Sequence, residues 1–348
     1  MERLPLEIQT LYAELVERLV SYEATRAIGH TPGTFVTKTI KGREYYYFQH
    51  PGPGEAKRQT YVGPRDENLD ALAKRFAEGR AQSSTERRSV ERLAALLRAG
   101  GAMVADAPSA RVVAALADAG VFHLGGVLVG THAFIVLGNV LGYRWPSALR
   151  TQDIDIEARP TIDVAVPGVE PTDVPSTLDR LEMGFLPVTG LDPRNPSTSY
   201  KVRGQGLRVD LLTPSDHRRS KPVPVPHLSA AAQPLRFLDY LIEAPVRTAL
   251  VDGGATLVNV PDPARFALHK LLVAQERPAA MQAKREKDLV QAGHVLTVLA
   301  EDRPGDVSIA WDELRARGSS WAKRVRDSLD ALERLSPGSA SQLRDLIG

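Results

Sequence analysis

Asp153 and Asp155 stand one residue apart in TQDIDI (residues 151–156), and Asp210 lies inside LRVDLLT (residues 207–213). Side chains alternate along a strand, so Asp153 and Asp155 share a face. Two carboxylates aimed at one point repel each other unless a cation sits between them. Hard divalent ions take oxygen ligands, and Mg2+ commonly combines one or two carboxylates with substrate phosphates. The trio points to phosphoryl chemistry. The plain alternative is a set of solvent-facing strand carboxylates, although Asp is a poor strand former and Asp210 is flanked by Val209 and Leu211.

A second element suits phosphate. In VLVGTHAF (residues 127–134) an apolar run ends at Gly130-Thr131 and a helical pattern follows. A glycine there lets backbone amides approach a phosphate, and a helix start contributes about half a unit of positive charge. Thr131 could donate its hydroxyl to a phosphate oxygen or simply cap the helix. Gly125-Gly126 is a rival for the phosphate-binding turn. The unbroken apolar strand before Gly130 and the helix after it favour Gly130-Thr131.

The order of these pieces, a Gly-Thr turn, an Asp-x-Asp strand and a third Asp on another strand, resembles the polymerase-β-type nucleotidyltransferase superfamily. Within it the chain is similar to a bacterial nucleotidyltransferase-like group related to abortive-infection (toxin–antitoxin) nucleotidyltransferases. The resemblance covers roughly residues 108–300, and reaches FALHKLL (residues 266–272) and KREKDL (residues 284–289). It implies an α+β mixed-sheet core and transfer of a nucleoside monophosphate from an NTP, such as ATP, to a hydroxyl acceptor. Asp153, Asp155 and Asp210 would hold two Mg2+ ions about 3.5 to 4 Å apart, with Asp210 also helping to deprotonate the acceptor. Lys270 and Lys287 would point at the triphosphate. The alternative for these lysines is a solvated helix face, since Lys284, Arg285 and Lys287 cluster.

The acceptors open to such an enzyme are RNA, a protein hydroxyl or a small molecule such as an antibiotic. The competing class is a non-catalytic nucleic-acid-binding or toxin–antitoxin regulatory protein on the same fold.

With 348 residues, the chain has room for two or three domains. A hydrophobic share of 43% and a charged share of 25% are ordinary for a globular protein. The net charge is only +2, from 44 basic and 42 acidic residues, so any polyanion site must be local. There is no cysteine, which excludes disulfides and thiolate zinc sites. The opening residues MERLPL lack the apolar core of a signal peptide, and no apolar run reaches the roughly 18 residues of a membrane span. The expectation is a cytoplasmic protein without membrane attachment.

Three regions must position the candidate residues. Residues 1–100 should hold a helix over 6–22, a three-stranded meander and a charged helix from Asp66 to about Ala99, broken near 79–84. The meander strands are 34–40, 44–49 and 58–62, separated by Gly42 and by the PGPG at 51–54. Residues 34–65 carry Lys38, Lys41, Arg43, Lys57, Arg58 and Arg65 against Glu44 and Glu55, with Tyr45, Tyr46, Tyr47, Phe48 and Tyr61 interleaved. That pattern would suit RNA; the alternative is an amphipathic sheet with its aromatics in a small core.

Residues 101–260 should form the catalytic core. Its helices are expected over 109–119, 132–141 and 176–183. Strands are expected to end at Gly130 and to carry Asp153 and Asp155, with others over 161–166, 200–203 and 207–212. Gly204-Gln-Gly206 reads as a hairpin turn, 213–226 as an exposed connection, and 249–258 as a hairpin turning at Asp252-Gly253. Residues 261–348 should be helical, opening with Asp262 as cap and Pro263 in the first turn. Trp321, Val325, Leu329 and Leu332 follow a helical period. His132, His269 and His294 are not at metal-ligand spacing and read as local hydrogen-bonding residues.

Overall fold

A helical hairpin leads the chain. α1 (Leu6–Gly29) and α2 (Glu67–Ala99) run antiparallel: Ile8 lies against Gly100, and Arg18 reaches Glu86 at 3.7 Å. Tyr12, Leu15 and Leu19 interlock with Val90, Leu93 and Leu97, and burying each leucine contributes roughly 2 kcal/mol. The computed structural model describes residues 1–29, 33–51, 57–146, 161–165, 173–188, 196–215, 221–335 and 341–347. α2 is 33 residues long and unbroken, contrary to the expected interruption at 79–84. A glycine inside a helix costs only about 1 kcal/mol, and α2 continues through Gly79.

Between the two helices lies the expected meander, with β2 (Thr34–Ile40), β3 (Arg43–Pro51) and β4 (Lys57–Pro64) antiparallel in that order. Lys41 and Gly42 both have positive φ, 51° and 74°, as a two-residue hairpin turn demands. A short β1 (Glu2–Arg3) pairs with β6 (Tyr143–Arg144), tying the amino terminus to the core.

After α3 (Ala107–Asp118) comes the mixed α+β core. β5 (Val127–Val129) runs straight into α4 (Gly130–Leu141). β7 (Thr161–Ala165) lies beside β5, antiparallel to it, and beside β10 (Arg208–Pro214), parallel to it. On the far side of β10, β9 (Ser199–Val202) pairs with its first half and β12 (Ala230–Leu235) with its second. α5 (Val174–Asp179) and β8 (Phe185–Pro187) precede β9. β11 (Val223–Val225) forms the edge against β12, so the expected connection over 213–226 contains a strand. Pro224 is tolerated there because an edge strand leaves N–H positions unpaired.

α6 (Leu238–Ile242) leads to the hairpin β13 (Val246–Val251) and β14 (Ala255–Val260), with Gly254 N donating to Asp252 Oδ1 at 2.6 Å. This hairpin packs on α1, where the Tyr12 hydroxyl donates to Ala249 O at 2.7 Å. α7 (Pro263–Ala274), α8 (Gln282–Asp302), α9 (Pro304–Ala316), α10 (Ser319–Leu335) and α11 (Ser341–Ile347) complete the chain. Asp262 caps α7 by accepting from Arg265 N at 2.9 Å. The helices share one apolar core with the sheet, from Met103 to Ile347. No described helix is long and apolar enough to cross a membrane.

Candidate functional site

Gly130 follows the last residue of β5 and opens α4, with φ at +68°. That left-handed conformation costs another L residue roughly 1–2 kcal/mol, so the strand-to-helix turn depends on glycine. The N-cap position is Val129, and among the described residues no side chain caps the helix. Thr131 therefore is not the N-cap, and the first-turn amides of α4 have no described side-chain acceptor. The rival Gly125-Gly126 pair sits before β5: Gly126 is held by Val121, whose Cγ1 would lie 2.7 Å from an added Cβ. That pair closes a turn behind the strand rather than at the helix start.

Across the sheet, Cα partners run from Val129 to Asp163, from Asp163 to Asp210 and from Asp210 to Ser199. Val129, immediately before the Gly130-Thr131 turn, and Asp210 thus lie on one register line, two strands apart. Asp163, part of the strand expected over 161–166, has its backbone in the middle of that line. Asp153 and Asp155 lie outside the described residues, and the strand expected to carry them does too.

Asp210 is largely buried, at 21% side-chain exposure. Its Oδ1 accepts from Arg208 Nε at 2.7 Å and from Ser199 Oγ. Arg208 Nε also reaches Ser199 Oγ at 2.6 Å, closing a three-membered network. Arg208 and Asp210 are two apart on one strand, a spacing that places them on one face; neither Arg208 nor Ser199 stood out in the sequence. Among the described residues no hydrogen bond reaches Asp210 Oδ2. A carboxylate oxygen of this kind fits a hard cation such as Mg2+. No group of three or more His, Cys, Asp or Glu that could hold a metal is found among the described residues, so Asp210 would need the carboxylates of the preceding segment.

Lys270 and Lys287 come together, but in different states. Lys270 Nζ donates to Asp288 Oδ1 at 2.5 Å, and Arg277 donates to Asp288 Oδ2 from Nε at 3.1 Å and Nη2 at 3.0 Å. Burial would raise the Asp288 carboxyl, yet the two cations hold it below the usual carboxylate range. Lys270 is thus committed to an acid on its own layer. Lys287 has no hydrogen-bonded carboxylate among the described residues, and burial, then the charge of Lys270, push its pKa down. A bound polyanion would reverse that. The cluster sits close behind α4: the Phe134 ring stacks on Phe266 at 6.3 Å, and Lys270 Nζ lies 5.5 Å from the Phe266 ring centre.

The three histidines are dispersed. His132 faces Asp106 at 3.9 Å. Burial opposes ionisation of Asp106, but hydrogen bonds from His132 and Ser109 outweigh it and bring the carboxyl down to about 2. Burial, with Lys270 beside it, pushes His269 down to about 3, and His294 stacks near Trp145 at 6.3 Å. Gly204, at φ +75°, turns the chain between the antiparallel β9 and β10, as a hairpin rather than a phosphate loop.

Residues 107–316 match a family model described as nucleotidyltransferase. No curated protein matches the chain. A solved "antigenic nucleotidyltransferase-like protein from Paracoccidioides brasiliensis" aligns at 13% identity over 63% of this chain and 93% of its own, with a TM-score of 0.29. That superposition is too loose to show a shared fold.

Proposed function

The chain belongs to the nucleotidyltransferase family, and from that membership we propose that it moves a nucleoside monophosphate from an NTP to a hydroxyl acceptor. The acceptor oxygen forms a bond to the α-phosphorus, the bond from that phosphorus to the β-phosphate bridge breaks, and pyrophosphate leaves. The observation that carries this reading is the register line that brings the Gly130 turn and Asp210 to one strip of the sheet. The first-turn amides of α4 and the Thr131 hydroxyl would bind phosphate oxygens. Asp210 would take the acceptor's proton, while Ser199 and Arg208 hold its carboxylate in place. Lys287 would add a positive charge to the triphosphate, and Lys270 would act through Asp288 to position α8.

Asp153, Asp155 and Asp210 are the residues that would hold Mg2+. Two bound ions would stabilise the attacking and leaving oxygens of an in-line displacement.

One observation favours a second reading, a non-catalytic nucleic-acid-binding or toxin–antitoxin regulatory protein. Arg208 already neutralises Asp210 at 2.7 Å, which would suit a site that binds without turnover.

Incubation with each α-labelled NTP, Mg2+ and total RNA or lysate separates the two, because only an enzyme transfers label. Asp153→Asn and Asp155→Asn are each expected to abolish transfer with an unchanged melting temperature, and Lys287→Ala to weaken NTP binding. Wild-type turnover in either aspartate variant would overturn the metal assignment. A loss confined to Asp163→Asn would move it to β7.

A further inference from the structure

The meander sorts its aromatic residues by type. On the side facing α2, Phe35 and Phe48 meet Phe76 at 5.4 and 5.5 Å, edge to face. Tyr46 completes this layer, its hydroxyl donating to Asp70 Oδ1 at 2.6 Å. The small core that the sheet needs is thereby filled. Tyr45, Tyr47 and Tyr61 lie on the opposite side, with Tyr61 ring centres 6.1 Å from Tyr45 and 5.6 Å from Tyr47. A bulge at Tyr46/Tyr47 brings Tyr61 directly across from Tyr47. Tyr61 is 54% exposed, and Tyr45 and Tyr47 are half-buried beside it.

Charge is sorted as well. Alternation from Tyr45 and Tyr47 places Lys38 and Arg43 on the tyrosine side, and Lys41 stands in the turn between them. Lys38 Nζ sits 4.9 Å from the Tyr47 ring centre. The acid of β3, Glu44, belongs to the other side, where Arg65 Nη1 bonds it at 2.8 Å and Arg65 Nε bonds Asp70 at 3.0 Å. Arg65 is thus spent on carboxylates, and alternation in β4 turns Arg58 away from Tyr61. Among the strand residues whose side chains are described, the outer face combines three tyrosines and two cations, with a third cation at its rim, and no acid.

We infer that this outer face is a docking platform for single-stranded RNA. Stacked bases need exposed rings with cations nearby for the phosphates. The choice of tyrosine over the phenylalanine used on the inner side adds hydroxyls that can meet a ribose 2′-hydroxyl. The platform needs neither NTP nor the aspartates, so its failure and that of the transfer reaction are separate results.

The test is binding of a fluorescein-labelled 12-nucleotide oligouridylate to the full chain across a salt series, without NTP. The variant Lys38→Gln/Lys41→Gln/Arg43→Gln is expected to flatten the slope of log affinity against log salt by about 2, at roughly 0.7 per single-strand phosphate contact. Tyr47→Leu/Tyr61→Leu keeps apolar bulk but loses the stacking rings, and is expected to weaken binding at least about fivefold per ring with the slope unchanged. Tyr45→Phe/Tyr47→Phe/Tyr61→Phe should keep the affinity for oligothymidylate and lose the preference for RNA. Thermal melts check that each variant folds. No binding at low salt, equal wild-type affinity for oligothymidylate, binding of duplex alone, or unaltered affinity and slope in the first two variants would each overturn the proposal. So would variants that change the mass in light scattering while leaving RNA affinity intact, which would make the face a self-association surface.

Discussion

Asp288→Asn is expected to destabilise the protein by about 3 kcal/mol without a direct contact to substrate. Asp288 is 4% exposed and accepts three charge-assisted hydrogen bonds, one from Lys270 and two from Arg277. Removing one partner of a buried ion pair costs roughly 3–5 kcal/mol, because the other charge stays buried and uncompensated. The lower end of that range applies here. The Arg277 side chain is 35% exposed and can turn to water, whereas that of Lys270 is 12% exposed and cannot do so freely. Lys270→Met should cost less than Asp288→Asn, since Arg277 still neutralises the acid. The double variant Asp288→Asn/Lys270→Met removes both buried charges and should be at least as stable as Asp288→Asn alone. Urea unfolding followed by tryptophan fluorescence measures all three, with an unchanged m-value as the sign that only the native state is affected. If Asp288→Asn stays within about 0.5 kcal/mol of the parent, or if the double variant loses the full sum of the singles, the carboxylate is not what holds these cations together.

Two further outcomes follow from single positions. Gly130→Ala should lower stability by roughly 1–2 kcal/mol because of the left-handed φ and weaken NTP binding, and equal melting temperatures for parent and variant would refute the turn geometry. His269, with a folded pKa of about 3 against 6.5 for the free residue, is held neutral in the fold. The unfolded chain takes up the proton first, so this residue draws stability down as pH falls from about 6.5 towards 3, by at most about 1.4 kcal/mol per pH unit. His269→Gln should flatten the stability–pH curve in that window, and an unaltered curve would mean that the fold does not hold the imidazole neutral.

Local chemistry was legible in the sequence wherever one short segment decides its own conformation. Asp262 followed by Pro263 starts a helix because a side-chain acceptor and a missing N–H both suit that end. Asp252-Gly253 turns a hairpin, and the β-branched and aromatic runs of residues 34–64 pair as a meander for the same reason. The Gly130-Thr131 turn belongs here too, since an apolar strand stopping at a glycine before a helical period has few other outcomes. The unbroken α2 shows the limit of such reading: one glycine costs about 1 kcal/mol, too little to interrupt a helix of 33 residues anchored at its other end.

Pairing between distant segments was decided by the tertiary structure. Strand period shows that residues 161–165 form a strand, but not that they lie between β5 and β10, with Asp163 in register with Asp210. No spacing rule announces that Ser199 and Arg208 will hold Asp210, because Ser199 arrives from the neighbouring strand. Lys270 and Lys287 read alike as helical lysines, and the packing of α7 on α8 alone gives Asp288 to the first. In the meander the sequence supplies the tyrosines and cations, while α2 determines which face is core and which remains in water. Periodicity is a property of neighbours along the chain; the partner of a carboxylate or of a sheet face is chosen by the free energy of burying surfaces that lie far apart in sequence.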